Sequence, residues 1–147
     1  MIAIETKIDN ALAYVLHLAR HIPRGNVSAA TLALLIEMGF KTNVDGFCYL
    51  RHAILMKTEH PELRFMDIYM DVGKRYGAGA SYKQVERTLR YAIESTYKRR
   101  KTEVWDYFFW EIHIGEKGCP SDSVFISQMA CVMELWRGCC EEVGCDG

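Results

Sequence analysis

The sequence predicts an all-α domain, a compact bundle of six to seven helices that contains a helix-turn-helix. Three observations lead there. Apolar residues recur three, four and seven positions apart through most of the chain, the spacing of a helix face. No stretch alternates with period two over a strand's length. A break, Gly77-Ala78-Gly79-Ala80, separates two helical patterns, and the second of them carries dense positive charge.

At 147 residues the chain is one domain, long enough to bury a core. Hydrophobic residues make up 50% and charged residues 25%, which suits a globular protein and not a disordered one. The longest apolar run, Leu32 to Ile36 with its alanine neighbours, is too short to cross a bilayer. No basic segment followed by an apolar core opens the sequence, so no signal peptide and a cytoplasmic location are expected.

A first helix is expected over Ile4 to His21, with Ile4, Ile8, Leu12, Val15 and Ala19 as its stripe and Pro23-Arg24-Gly25-Asn26 as its end. Ser28 is the expected N-cap of a second helix that runs through Met38 and stops at Gly39. Thr42 or Asn43 opens a third, Val44 to Thr58, which buries Phe47, Leu50 and Ile54; His60-Pro61 breaks it. A fourth spans about Glu62 to Tyr76 and buries Phe65, Ile68, Tyr69 and Val72 in some combination. Trp105 to Ile114 is crowded with aromatics. Base stacking is one use for them, but Glu103, Asp106 and Glu111 would repel phosphate, so a core-plugging helix is the expectation. A last helix begins at Ser121 or Asp122 and runs to Arg137, with Phe125, Met129, Val132, Met133 and Trp136 inward.

The fifth helix, Ser81 to Lys101, is the most informative. Val85, Leu89, Ala92 and Thr96 form its buried stripe, and Lys83, Arg87, Arg90, Tyr91, Glu94 and Lys98 face the other way, with Gln84 and Glu86 on the flanks. From Lys74 to Lys101 there are nine basic residues and two glutamates, a local charge of +7 in a chain of net charge −1. Most charged helix faces merely meet water. A glycine turn before the helix, side chains able to bond bases in pairs and this segregation of charge all point instead to a phosphate-facing surface.

Other chemistry finds little support. Cys48 and Cys131 fall inside helical patterns as small core residues, and no C-x-x-C pair exists for zinc. Free cytosolic thiols are expected. His17 and His21 lie four apart on one expected helix face, yet Leu18 stands where a zinc-protease motif needs glutamate. No metal, cofactor or catalytic residue is expected: there is no phosphate-cradling glycine loop and no nucleophile-histidine-acid set, so the chain reads as no enzyme.

Four stretches, in order, carry a resemblance: Ile36-Glu37-Met38-Gly39; Gly46-Phe47-Cys48-Tyr49-Leu50-Arg51-His52-Ala53-Ile54; Val85-Glu86-Arg87-Thr88-Leu89-Arg90-Tyr91-Ala92-Ile93-Glu94; and Pro120-Ser121-Asp122-Ser123-Val124-Phe125-Ile126. Over about Val27 to Trp136 the chain resembles the C-terminal DNA-binding effector domain of the sporulation initiation response regulator, stage 0 sporulation protein A. The resemblance implies a six-helix domain at 26–147, with residues 1–25 as an additional N-terminal helix packed on it. It implies a recognition helix, about 81–101, in the major groove of duplex DNA, with Glu86, Arg87 and Arg90 at the family's contact positions. Lys83, Gln84, Tyr91 and Lys98 complete the expected DNA-binding set. Gln84 replaces an arginine of the family pattern, Tyr91 replaces a histidine, Gly73 replaces an alanine, and the turn is two residues longer. No phosphorylatable receiver domain accompanies the match, so relief of inhibition by phosphorylation within the chain is not expected. The expected partners are duplex DNA, a second copy as a homodimer or head-to-tail pair, and RNA polymerase, with no membrane. The leading reading is a sequence-specific transcription regulator. The competing one is a helix-turn-helix-derived protein-interaction module that has lost DNA binding and modulates a partner regulator; the first reading needs the basic face exposed, whereas this one allows it to be covered by the N-terminal helix or by a partner chain.

Overall fold

A computed structural model describes residues 2–77, 79–100, 103–109 and 118–146, and within them the side chains from 9 to 139. The described residues form seven helices and no strand: α1 (Ile2–Leu18), α2 (Val27–Glu37), α3 (Asp45–Glu59), α4 (Phe65–Tyr76), α5 (Tyr82–Arg99), α6 (Val104–Phe108) and α7 (Asp122–Asp146). α3 is the hub and packs on α2, α4, α5 and α7, while α1 lies on α2, α6 and α7.

Each helix is inward where its stripe is. On α1 Ala11 and Val15 are buried, as is Ala19 just past its end, with Leu12 half-buried; the expected Ile4 and Ile8 lie outside the described side chains. α1 stops at Leu18, short of the expected His21, so His17 and His21 do not share a helix face. No cluster of metal-ligating side chains occurs among the described residues.

α2 is capped by Asn26, not Ser28: the Asn26 side-chain oxygen accepts from Ala29 N at 3.0 Å. Ser28 lies inside the helix and accepts from Arg51 at 2.6 Å instead. At its other end Gly39, with φ of 101°, reverses the chain as expected. Gly39 N donates to Ile36 O at 3.0 Å and Phe40 N to Leu35 O at 3.1 Å, the paired bonds of a glycine-terminated helix.

Three starts and ends differ from expectation. Neither Thr42 nor Asn43 caps α3; extended Val44 precedes it without a side-chain cap bond. α4 begins at Phe65 because residues 60–63 close a separate turn, Leu63 N donating to His60 O at 3.0 Å. α7 does not stop at Arg137: Gly138 has open space around it and an interior glycine only weakens a helix, so the helix runs to Asp146.

The aromatic segment plugs the core, but as a shorter helix than expected. α6 ends at Phe108, and the Phe109 ring turns inward to stack on Phe125 at 5.1 Å between centroids; residues 110–114 of the expected helix lie outside the described residues. Trp105 is fully buried between Phe40, Tyr97 and Phe125, and its ring N–H donates to Met38 O at 3.0 Å. That bond satisfies the indole's polar group inside an apolar core. Cys48 and Cys131 are exposed, contrary to expectation. Each sits one position away from its helix's stripe, Cys48 beside Phe47 and Cys131 beside Val132.

Candidate nucleic-acid interface

The pair α4–α5 is built around a forced close approach. α4 buries Ile68, Tyr69, Val72 and Gly73. At Gly73 a Cβ would lie 2.3 Å from the Ala80 carbonyl oxygen, so only glycine lets the turn fold back onto α4. The Gly73 carbonyl then accepts from Gly77 N at 3.0 Å and Gly79 N at 3.1 Å, and Gly79 takes a left-handed φ of 86°. The turn is thereby pinned to the last turn of α4, and the direction in which α5 leaves it is set.

α5 opens with a capping box. Ser81 Oγ accepts from Gln84 N at 3.3 Å, and Gln84 Oε1 accepts from Ser81 N at 2.9 Å. This S-x-x-Q signal is legible in the sequence, where Gln84 was assigned only to DNA contact. Its amide oxygen is already engaged, which leaves the amide NH2 as its free donor.

The expected stripe of Val85, Leu89, Ala92 and Thr96 is buried, and Ile93 and Tyr97 widen it. On the other side Lys83, Gln84, Arg87, Arg90, Tyr91, Glu94 and Lys98 are exposed, Tyr91 at 74%. Glu86 is half-buried on the flank. The fold therefore brings the expected residues together on one helix surface that no other described helix covers.

Two of them are tied to neighbours. Arg90 NH2 lies 3.3 Å from Glu86 Oε2, one turn back, and Arg90 Nε lies 3.8 Å from Asp122 Oδ1 at the start of α7. Asp122 is buried, and its other oxygen accepts from the Tyr69 hydroxyl of α4 at 2.6 Å. Burial and this carboxylate raise the Tyr69 hydroxyl far above the ordinary tyrosine value of 10.0, so it remains a donor. Tyr69 is expected only as core and Asp122 only as a helix opening; periodicity carries no signal for a contact 53 residues apart along the chain.

A groove of about 650 Å³ runs beside the second half of α5, between Phe40, Val44 and Gly46 on one side and Thr88, Tyr91 and Lys98 on the other. No helix among the described residues is long and apolar enough to cross a membrane.

The family model described as sporulation initiation factor Spo0A C terminal matches residues 31–133, from inside α2 to inside α7, and so includes the whole of α4, the turn and α5. α1 lies outside that match. The chain belongs to the family of the Spo0A C-terminal domain, a family of DNA-binding regulatory domains acting in transcription and sporulation.

Proposed function

We propose that the chain is a sequence-specific transcription regulator that lays α5 in the major groove of duplex DNA. The observation that carries this is the uncovered outer face of α5, with Lys83, Arg87, Arg90, Tyr91 and Lys98 exposed on the helix that follows the pinned turn. Arginine can bridge guanine O6 and N7, glutamate accepts from cytosine N4, and lysine holds phosphate as a point charge. On this reading Arg87, Arg90 and Glu86 read bases, Gln84 donates from its amide, and Lys83 and Lys98 contact the backbone. The loss-of-DNA-binding alternative allows the basic face to be covered by the N-terminal helix or by a partner chain; of these, α1 packs mainly on α2, α6 and α7.

The same proposal includes pairing of two copies head-to-tail on tandem sites, contact with RNA polymerase, and action in the cytoplasm. Residues 1–25 are read as an addition that closes the core of the 26–147 domain, since Ala11, Val15 and Ala19 are fully buried.

Selection of bound duplexes from a random pool tests the proposal. The expected result is a defined preferred site, with Arg87→Ala weakening binding to it by about 1–3 kcal/mol and relaxing one base position. Gln84→Arg should shift the preferred base at the position it faces, toward guanine. A wild-type protein that retains no duplex at low salt overturns the proposal.

A further inference from the structure

Arg90 differs from its neighbours on α5. Among the described residues Lys83, Arg87 and Lys98 have no carboxylate partner, whereas the Arg90 guanidinium lies between two carboxylates from two different elements, Glu86 at 3.3 Å and Asp122 at 3.8 Å. Asp122 is itself fixed. Its side chain is 8% exposed, the Tyr69 hydroxyl holds its second oxygen at 2.6 Å, and it stands in the first turn of α7, where the helix dipole favours a negative charge.

We propose that Asp122, held by Tyr69, is a positioning residue for Arg90 and thereby a determinant of which base α5 prefers. The inference rests on Arg90 reading a base, as proposed above. The guanidinium has five N–H donors in a rigid fork, and Asp122 engages the Nε side while the half-exposed remainder of the group is left for an outside partner. A fork held from the side costs less ordering when it meets a guanine edge. The two flanking carboxylates also cancel much of its attraction for phosphate, so Arg90 discriminates between bases more than it adds to sequence-independent affinity. The contact links α7 to the reading helix and lies entirely within the stretch that matches the family model.

The test uses the duplex selected by the wild-type chain and a scrambled duplex of equal length, and reads the ratio of the two affinities. Asp122→Asn keeps an oxygen for the Tyr69 hydroxyl and removes the charge. It is expected to lower the ratio about fivefold or more, the scale of one compromised base contact, chiefly by tightening binding to the scrambled duplex. Tyr69→Phe, which frees the second oxygen, should move the ratio in the same direction by less. In an Arg90→Ala background Asp122→Asn should leave the ratio unchanged. A merely structural Asp122 would weaken both duplexes together in step with the folded fraction, and that result overturns the inference. It is equally overturned if Arg90→Ala lowers the ratio while Asp122→Asn does not, or if the two effects simply add. If Arg90→Ala itself leaves the ratio intact, the base-reading role of Arg90 falls and this inference with it. If Asp122→Asn fails to fold, the Tyr69→Phe pair of measurements, with and without Arg90→Ala, decides by the same criteria.

Discussion

Gly73 lies within α4 and is tightly constrained, because the atom a side chain would meet is the Ala80 carbonyl oxygen, 2.3 Å from a Cβ. That oxygen belongs to a backbone already fixed by two bonds to Gly73 O, so neither partner can yield cheaply. Gly73→Ala should therefore destabilise the fold by about 1–3 kcal/mol, the range for overpacking, read as a lower urea midpoint. An unchanged midpoint would mean that the turn can open without cost. Asp71 offers a pH-dependent case. His52 Nε2 donates to it at 3.0 Å and Arg75 stands 3.4 Å away, and the hydrogen bond from His52 is the main reason its carboxyl is held below the ordinary value of 3.8. A depressed folded value means stability that is present above the ordinary value and fades as pH falls through the folded one. Asp71→Asn should lower the urea midpoint slightly at pH 7, by well under about 1 kcal/mol because the pair is partly solvated, and the gap should close below pH 3.8. A gap that persists unchanged into acid would assign the effect to packing. At this scale sequence reading succeeded where a residue's neighbours are its own helix turns, as for Leu89 or Trp136. It misplaced Cys48 and Cys131 because one helical position, about 100°, separates a core residue from an exposed one.

The first turn of α5 joins stability to the proposed recognition. Ser81 and Gln84 satisfy each other's backbone N–H groups, so Gln84 serves the helix before it serves any base. Ser81→Ala should cost about 1 kcal/mol of stability, measured by urea unfolding, and should loosen Gln84 without altering the charge of the face. If unfolding of the variant matches wild type, the box is not maintained in solution. The same comparison calibrates Gln84 variants, whose loss of the cap must be subtracted before any change in DNA affinity is assigned to a base. Among the elements, α5 was the most legible, since its 18 residues show one clean stripe opposite a charged face. α6 was the least, because Phe109 leaves the helix for a stacking partner on α7 that no local pattern announces. The caps of α2 and α3 were misplaced by one or two residues, where several capping residue types crowd together and tertiary contacts choose among them.

At the scale of the molecule, the decisive property is how charge is distributed over a chain that is nearly neutral. A net charge of −1 alone argues against phosphate binding, yet the segment from Lys74 to Lys101 carries +7 and its helix is exposed on the polar side. The fold keeps the two apart: the apolar stripe of α5 faces α3, α4 and α7, and only the basic side is presented outward. The sequence showed this segregation, but which outward charges are already neutralised needed the structure, because among the described residues Glu86 and Asp122 partner Arg90 and leave Lys83, Arg87 and Lys98 without a carboxylate. Those three should then dominate the ionic part of binding. Affinity for a duplex should fall linearly on a log–log plot against salt, with a slope of about −0.9 for each phosphate neutralised. Lys98→Ala should weaken selected and scrambled duplexes alike and reduce the slope by about 1. Arg90→Ala, whose charge is already shared with two carboxylates, should change the slope less than Lys98→Ala while changing base preference more. Binding that is indifferent to salt, or an Arg90→Ala slope change as large as that of Lys98→Ala, would show that the carboxylates do not shield Arg90 and that charge on this face acts as a single undifferentiated patch.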